Sequence, residues 1–171
     1  MLNKIITSKT RLRLLVKFFV SQANKGHLNL LATEMGESTN SIRKELNNLY
    51  DAGYIIKKKN NNKVEYRVNS KHPLYKTLRN VVFKHLGLED IVETVLEKMG
   101  NVDKIFIIGD YSKGIDSGNI EVVLVGKELN LKYISDLEEK IEKIISRKVN
   151  FFLTSKFKNK QHKIELYSKE L

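Results

Sequence analysis

Residues 38–68 read STNSIRKELNNLYDAGYIIKKKNNNKVEYRV, and the change of periodicity inside this stretch decides the fold of the N-terminal part of the chain. Ile42, Leu46 and Leu49 recur at helical spacing, so they mark a buried stripe, while Asn40, Ser41, Lys44, Asn47 and Asn48 fall on the opposite face. Gly53 stops the helix. Beyond it, Val64, Tyr66 and Val68 alternate with Lys63, Glu65 and Arg67, the period of a strand with one face on a core. Asn60, Asn61 and Asn62 supply a turn that tolerates positive φ. A helix followed by a basic hairpin is therefore expected. Thr39, Asn40, Ser41 and Asn47 carry hydrogen-bonding groups of the kind that read base edges, with Arg43 and Lys44 beside them. Lys57, Lys58, Lys59, Lys63 and Arg67 place cations where phosphates could be held.

Working outward, residues 8–23 carry Leu12, Leu15, Val16, Phe19 and Val20 on one stripe, with Arg11, Arg13 and Lys17 off its centre and Ser8 placed to cap a first helix. Residues 28–35 give a second short helix ended by Gly36, and Ser38 or Thr39 can cap the third. The order ATEMGESTNSIRKELNNLYDAGYI, with Gly36 in the turn and a basic hairpin to follow, resembles the helix-turn-helix of winged-helix bacterial regulators. That resemblance implies a recognition helix in the major groove of double-stranded DNA and a wing on its backbone. A three-helix module that binds protein fits the same helical stripe.

The formal net charge is +11, and its distribution matters more than its size. Residues 1–70 hold 13 Lys+Arg against 5 Asp+Glu, whereas residues 71–171 hold 18 against 15. A coding sequence rich in A and T loads a protein with Lys, Asn and Ile, which accounts for the amount of lysine but not for its segregation. The basic excess lies where an electrostatic footprint for nucleic acid is needed. The chain has no cysteine, so disulfide and thiol chemistry are excluded. Its N-terminal apolar run is broken by Arg11, Arg13 and Lys17, which argues against a signal peptide or a membrane span and for a cytoplasmic protein without a membrane partner.

Pro73 suits the first turn of a helix and opens the run Leu74, Leu78, Val81, Val82 and Leu86. After Gly87, the residues Leu88, Ile91, Val92, Val95, Leu96 and Met99 define another amphipathic helix. These helices either pack on a second domain or form a homodimer seam. Residues 104–109 and 120–125 are apolar enough for buried strands, Leu137, Ile141, Ile144 and Ile145 mark one face of a charged helix, and residues 149–153 read as a further strand. Residues 155–171 form a basic tail with a short strand or helix at 163–167 and no evident role. The expected fold class is α+β: an N-terminal winged helix-turn-helix at residues 1–70, a helical linker at 71–100, and a small α/β domain at 101–171.

IFIIGDYSKGIDSGNIEVVLVG, residues 105–126, resembles the signature of the nucleotidyltransferase fold. There a strand ends in Gly-Ser, a basic residue and a second Gly follow, and an Asp-x-Asp pair opens the next strand. In this chain Gly109, Lys113 and Gly114 keep the turn, but Asp110 replaces the serine and the two aspartates fall on Asn119 and Glu121. The position matching the family's third carboxylate is Asn150. A pair of divalent cations clamping a triphosphate needs several convergent carboxylates, so the resemblance implies a catalytically inactive domain. An unconventional set of Asp110, Asp116 and Glu121 is the alternative. With HPLYKTLRNVVFKHLGLEDIVETVL between the two parts, the whole order resembles ArsR-like or MarR-like regulators fused to a nucleotidyltransferase-like domain.

The expectation is thus a homodimeric transcriptional regulator whose second domain binds a nucleotide, a protein effector or neither. A targeted nucleotidyltransferase is the alternative. His27, His72, His85 and His162 are scattered without ligand spacing, and no Walker A or dinucleotide glycine pattern occurs, so neither metal nor cofactor is expected.

Overall fold

The structure is a computed structural model that describes residues 2–158 and 162–169. It is mixed α+β and carries two small sheets. The chain divides into two compact units, Met1–Val82 and Phe83–Leu171. The stretch 71–100, expected as a separate linker, is shared between them.

In the first unit α1 (Lys9–Phe19) is capped by Ser8, whose hydroxyl accepts from the Arg11 amide at 3.1 Å. The helix is buried on more than a stripe. Leu14 and Phe18 are as buried as Phe19, and Lys17, expected off the buried face, is 5% exposed because its ammonium pairs with Glu34 at 2.8 Å. The helix also ends earlier than its periodicity suggests. Asn24 donates from its side chain to the Lys17 carbonyl at 2.9 Å, and the chain then enters a strand, β1 (Lys25–His27), that no alternation announced. Gly26 lies at its centre, where a Cβ would stand 2.7 Å from Leu31 Cδ2. Next come α2 (Leu28–Met35), ended by Gly36 at φ 61°, and α3 (Thr39–Asp51), capped by Ser38 onto the Ser41 amide at 3.1 Å. Strands β2 (Ile55–Asn60) and β3 (Lys63–Val68) complete an antiparallel sheet of order β1-β3-β2, with Asn61 taking the positive φ of the turn. Ile42, Leu46 and Leu49 are buried as expected.

The N-terminal end of α1 is fastened across α3 by Glu45. This carboxylate accepts from Ser8 Oγ at 2.8 Å, Arg11 Nε at 2.7 Å and Asn48 Nδ2 at 3.3 Å. Burial pushes its pKa up, but the hydrogen bonds from Arg11, Ser8 and Asn48 outweigh burial and hold it below the ordinary glutamate value.

Helix α4 (Tyr75–Leu86) crosses the division between the units. It begins two residues after Pro73, because His72 Nδ1 accepts from the Leu74 amide and the His72 carbonyl from the Tyr75 amide. The second unit then runs α5 (Leu88–Lys98), β4 (Asn101–Ile108), the single turn α6 (Gly109–Ser112), β5 (Asn119–Lys127), α7 (Ile134–Ile145), β6 (Lys148–Thr154) and β7 (Ile164–Ser168). The sheet order is β6-β5-β4-β7, with β6 parallel to β5 and the other two pairings antiparallel. Ile105, Ile107, Ile120, Val122 and Leu124 alternate onto the face that buries them with α5 and α7. On the other face Phe106, Val123 and Val125 are covered by Ile108 and Phe157. Part of the tail is thereby placed: Phe157 caps the sheet and β7 pairs with β4. Residues 159–161 and 170–171 of the expected tail lie outside the described residues.

The edge strand β6 is guarded. Glu142 and Glu138, one turn apart on α7, accept from the outward-facing amides of Val149 at 3.0 Å and Phe151 at 3.1 Å, so two of the edge donors are already satisfied.

Removing the Glu45 carboxylate with Glu45→Ala leaves three donors without their acceptor and should destabilise the first unit by about 1–3 kcal/mol at pH 7, read by denaturant unfolding. A depressed carboxylate stabilises the fold above its unfolded pKa and loses that contribution as pH falls through its folded pKa. The wild type should therefore lose stability on acidification below about pH 4.5 more steeply than Glu45→Gln.

Candidate functional site

The net charge of the chain is confined to one unit. Residues 1–82 hold 16 Lys+Arg and 5 Asp+Glu, and residues 83–171 hold 15 of each, so the first unit carries the whole net charge of +11 and the second is neutral. Within the first unit, four of the five acids are paired with cations of α1 and β1. Glu45 pairs with Arg11 (2.7 Å), Glu34 with Lys17 (2.8 Å), Glu65 with Lys25 (3.1 Å) and Glu37 with Arg13 (3.4 Å). Among the described residues, no carboxylate pairs with Arg43, Lys44, Lys57, Lys58, Lys59, Lys63 or Arg67. The cations of α3 and the β2–β3 hairpin therefore form a field that no ion pair of the unit neutralises.

Thr39, Asn40, Arg43, Lys44 and Asn47 are exposed on α3, and Arg43 Nη1 donates to Asn40 Oδ1 at 3.0 Å. Ser41, expected on that open face, lies instead at its inner margin. It is half-buried, and its hydroxyl shares a 3.2 Å hydrogen bond with the buried Thr10. Asn48 is exposed but committed to Glu45. In the hairpin the register pairs Lys57 with Tyr66, Lys59 with Val64, Lys58 with Glu65 and Ile56 with Arg67. Lys58, Lys63 and Arg67 thus lie on the outer face, and Lys57 and Lys59 on the face shared with Tyr66 and Val64. Lys57 Nζ sits 3.8 Å from the centroid of the Tyr50 ring.

In the second unit the family-like positions come together only in part. Asn119 and Glu121 share a face of β5, and Asn150 on β6 donates from Nδ2 to Asn119 Oδ1 at 2.7 Å. Gly109, at φ 64°, lies beneath Glu121, since a Cβ there would run into Glu121 Oε2. The positive φ favours glycine at this position, whereas the Glu121 carboxylate, the end of a flexible side chain, can move aside. Asp110 and Lys113 are exposed on the α6 turn, and Gly114 is buried at φ 76°. Asp116 is not free to join Asp110 and Glu121, because Arg147 grips both its oxygens, Nε at 3.0 Å and Nη2 at 2.7 Å, and Tyr111 donates to it from its phenol. Among the described residues, no group of three or more His, Cys, Asp or Glu is placed to hold a metal.

The Tyr111–Asp116–Arg147 network has no sequence pattern to announce it, and it closes the loop between α6 and β5. Tyr111 Oη also accepts from the Gly118 amide at 3.2 Å, and Arg147 Nη1 reaches the carbonyls of His85 and Ile145, both at 3.3 Å. Burial raises the Asp116 pKa, but the Arg147 and Tyr111 hydrogen bonds outweigh it and keep the carboxylate low. Burial and then Asp116 push the Tyr111 phenol well above its ordinary value. Burial and the nearby Arg147 guanidinium lower the pKa of His85.

Comparison of the chain with protein-family models, with curated proteins and with solved structures returns no match.

Because Tyr111 is held neutral, it should ionise well above the ordinary tyrosine value in an alkaline absorbance titration. Its contribution to stability is present below the unfolded value of about 10 and is lost as pH rises through the folded pKa. Asp116→Asn should bring that transition down toward the ordinary tyrosine value.

Proposed function

We propose that the protein is a sequence-specific double-stranded DNA-binding transcriptional regulator. On this reading the first unit is a winged helix-turn-helix, with α3 in the major groove and the β2–β3 hairpin as a wing on the backbone. The observation that carries it is the charge partition: among the described residues, four ion pairs of the unit use cations of α1 or β1, and no carboxylate pairs with the cations of α3 and the hairpin. The element order α1-β1-α2-α3-β2-β3 with sheet order β1-β3-β2 supports the same reading, since it sets one exposed helix beside one exposed hairpin. Thr39, Asn40, Lys44 and Asn47 face the bases, and Ser41, tied to Thr10, contributes from the margin. A cytoplasmic location follows from this function, and no helix among the described residues is long and apolar enough to cross a membrane.

The second unit serves as a non-catalytic nucleotidyltransferase-like domain. Two of the three positions that would need carboxylates are amides, and those amides are hydrogen-bonded to each other. Glu121 alone does not balance a pair of divalent cations. The protein works as a homodimer, which the apolar positions left open along α4 and its lead-in support: Leu74 is 47% and Val81 38% exposed, with Leu78 half-buried between them.

Replacing Lys58, Lys59 and Lys63 with Ala should weaken binding to all duplexes alike and lower the slope of log K against log salt by about 0.9 for each phosphate that is no longer neutralised. An unchanged slope would reject the wing assignment. Asn40→Ala or Lys44→Ala should instead change the ranking of sequences in a selection from random duplexes. For the second unit, Asn119→Asp with Asn150→Asp should create Mn²⁺ binding detectable by paramagnetic relaxation of nearby amides, where the wild type shows none. Equal behaviour of the two proteins would refute the equivalence of these positions to a metal site.

A further inference from the structure

We infer that Lys57 is a positioning residue, a pin between α3 and the hairpin rather than one more phosphate ligand. This rests on the DNA-binding reading above. Tyr50 is in the last turn of α3 and is 41% exposed, which leaves a ring face open at the surface. The Lys57 ammonium lies over that ring, 3.8 Å from its centroid, and the same ammonium is 5.8 Å from the ring of Tyr66, the cross-strand partner of Lys57. A cation over a ring face is attracted by the ring quadrupole, strongly at the Tyr50 distance and weakly at that of Tyr66. Among the described residues, no ring lies in this way beneath Lys58 or Lys59.

The short connection between the two elements explains why one contact can matter. Only residues 52–54 separate α3 from β2, and that turn is fixed by Gly53 at φ 78°, the Tyr54 amide on the Leu49 carbonyl at 2.9 Å, and Asn69 Nδ2 on the Gly53 carbonyl at 2.9 Å. These contacts hold the base of the hairpin, so any swing relative to α3 falls to its outer part. Lys57 is the first hairpin residue beyond the two isoleucines, and its ring contact is across that swing. A helix and a hairpin that must engage one duplex together lose affinity when their mutual angle is not fixed in advance.

The test compares Lys57→Met, which keeps the aliphatic stem, with Lys58→Met. In the free protein the ε-methylene protons of Lys57 should be shifted upfield by the Tyr50 ring current, the shift should vanish in Tyr50→Leu, and those of Lys58 should be normal. Lys57→Met should weaken binding about two- to fivefold, the worth of one exposed cation–π contact, with the salt slope unchanged, and Lys57→Arg should restore it. Combining Lys57→Met with Tyr50→Leu should weaken binding little more than either alone. Lys58→Met should lower the slope by about 0.9. An absent ring-current shift overturns the pin without reference to DNA. A slope that falls in Lys57→Met as it does in Lys58→Met makes Lys57 a phosphate ligand and also overturns it. If neither variant alters DNA binding while the ring-current shift is present, the DNA reading has failed, and the positioning role fails with it.

Discussion

Glu45 is an ionised carboxylate on the inner face of α3, with Ser8, Arg11 and Asn48 all donating to it, and the geometry of the first unit depends on it. An unpaired charge in that position would be strongly destabilising, so the N-terminal end of α1 is drawn across α3 to supply donors. The same hydroxyl that caps α1 is one of those donors, which couples the start of one helix to the middle of another. Thr10 and Ser41 add a second tie beside it. These contacts flank the buried stripe of Ile42, Leu46 and Leu49, which turns the opposite side, with Asn40, Arg43, Lys44 and Asn47, to solvent.

The internal pairing has an external consequence. Four acids are paired with cations of α1 and β1, and seven further cations of the unit lie on α3 and the hairpin. At physiological ionic strength charges are screened beyond about 8 Å, so the placement of unpaired cations decides where an anionic partner is attracted. The exposed pairs, Glu37 with Arg13 and Glu65 with Lys25, contribute little to stability, whereas Glu45 and Lys17 are buried and their pairs also hold the fold.

The second unit shows the opposite arrangement. Several of its polar groups are turned on one another: Asn150 on Asn119, Arg147 and Tyr111 on Asp116, and Glu138 and Glu142 on the edge of β6. The unit as a whole is neutral.

Periodicity in the sequence determined α2 and α3, the hairpin with its asparagine turn, and the strands and helix around residues 101–154, because each has a clean period and most are bounded by a glycine, serine or asparagine. It also determined that the basic residues are segregated. What only the tertiary structure decided depends on residues distant in the chain. β1 is three residues long and exists because β3 offers it a partner. Lys17 is buried because Glu34 meets it, Ser41 turns inward because Thr10 does, and β7 is a strand because β4 has a free edge. The Tyr111–Asp116–Arg147 network joins a loop to a residue about thirty positions on, with no spacing to betray it. Local periodicity records which face of a segment is apolar, whereas the pairing of polar groups is a property of the folded chain and leaves no periodic trace.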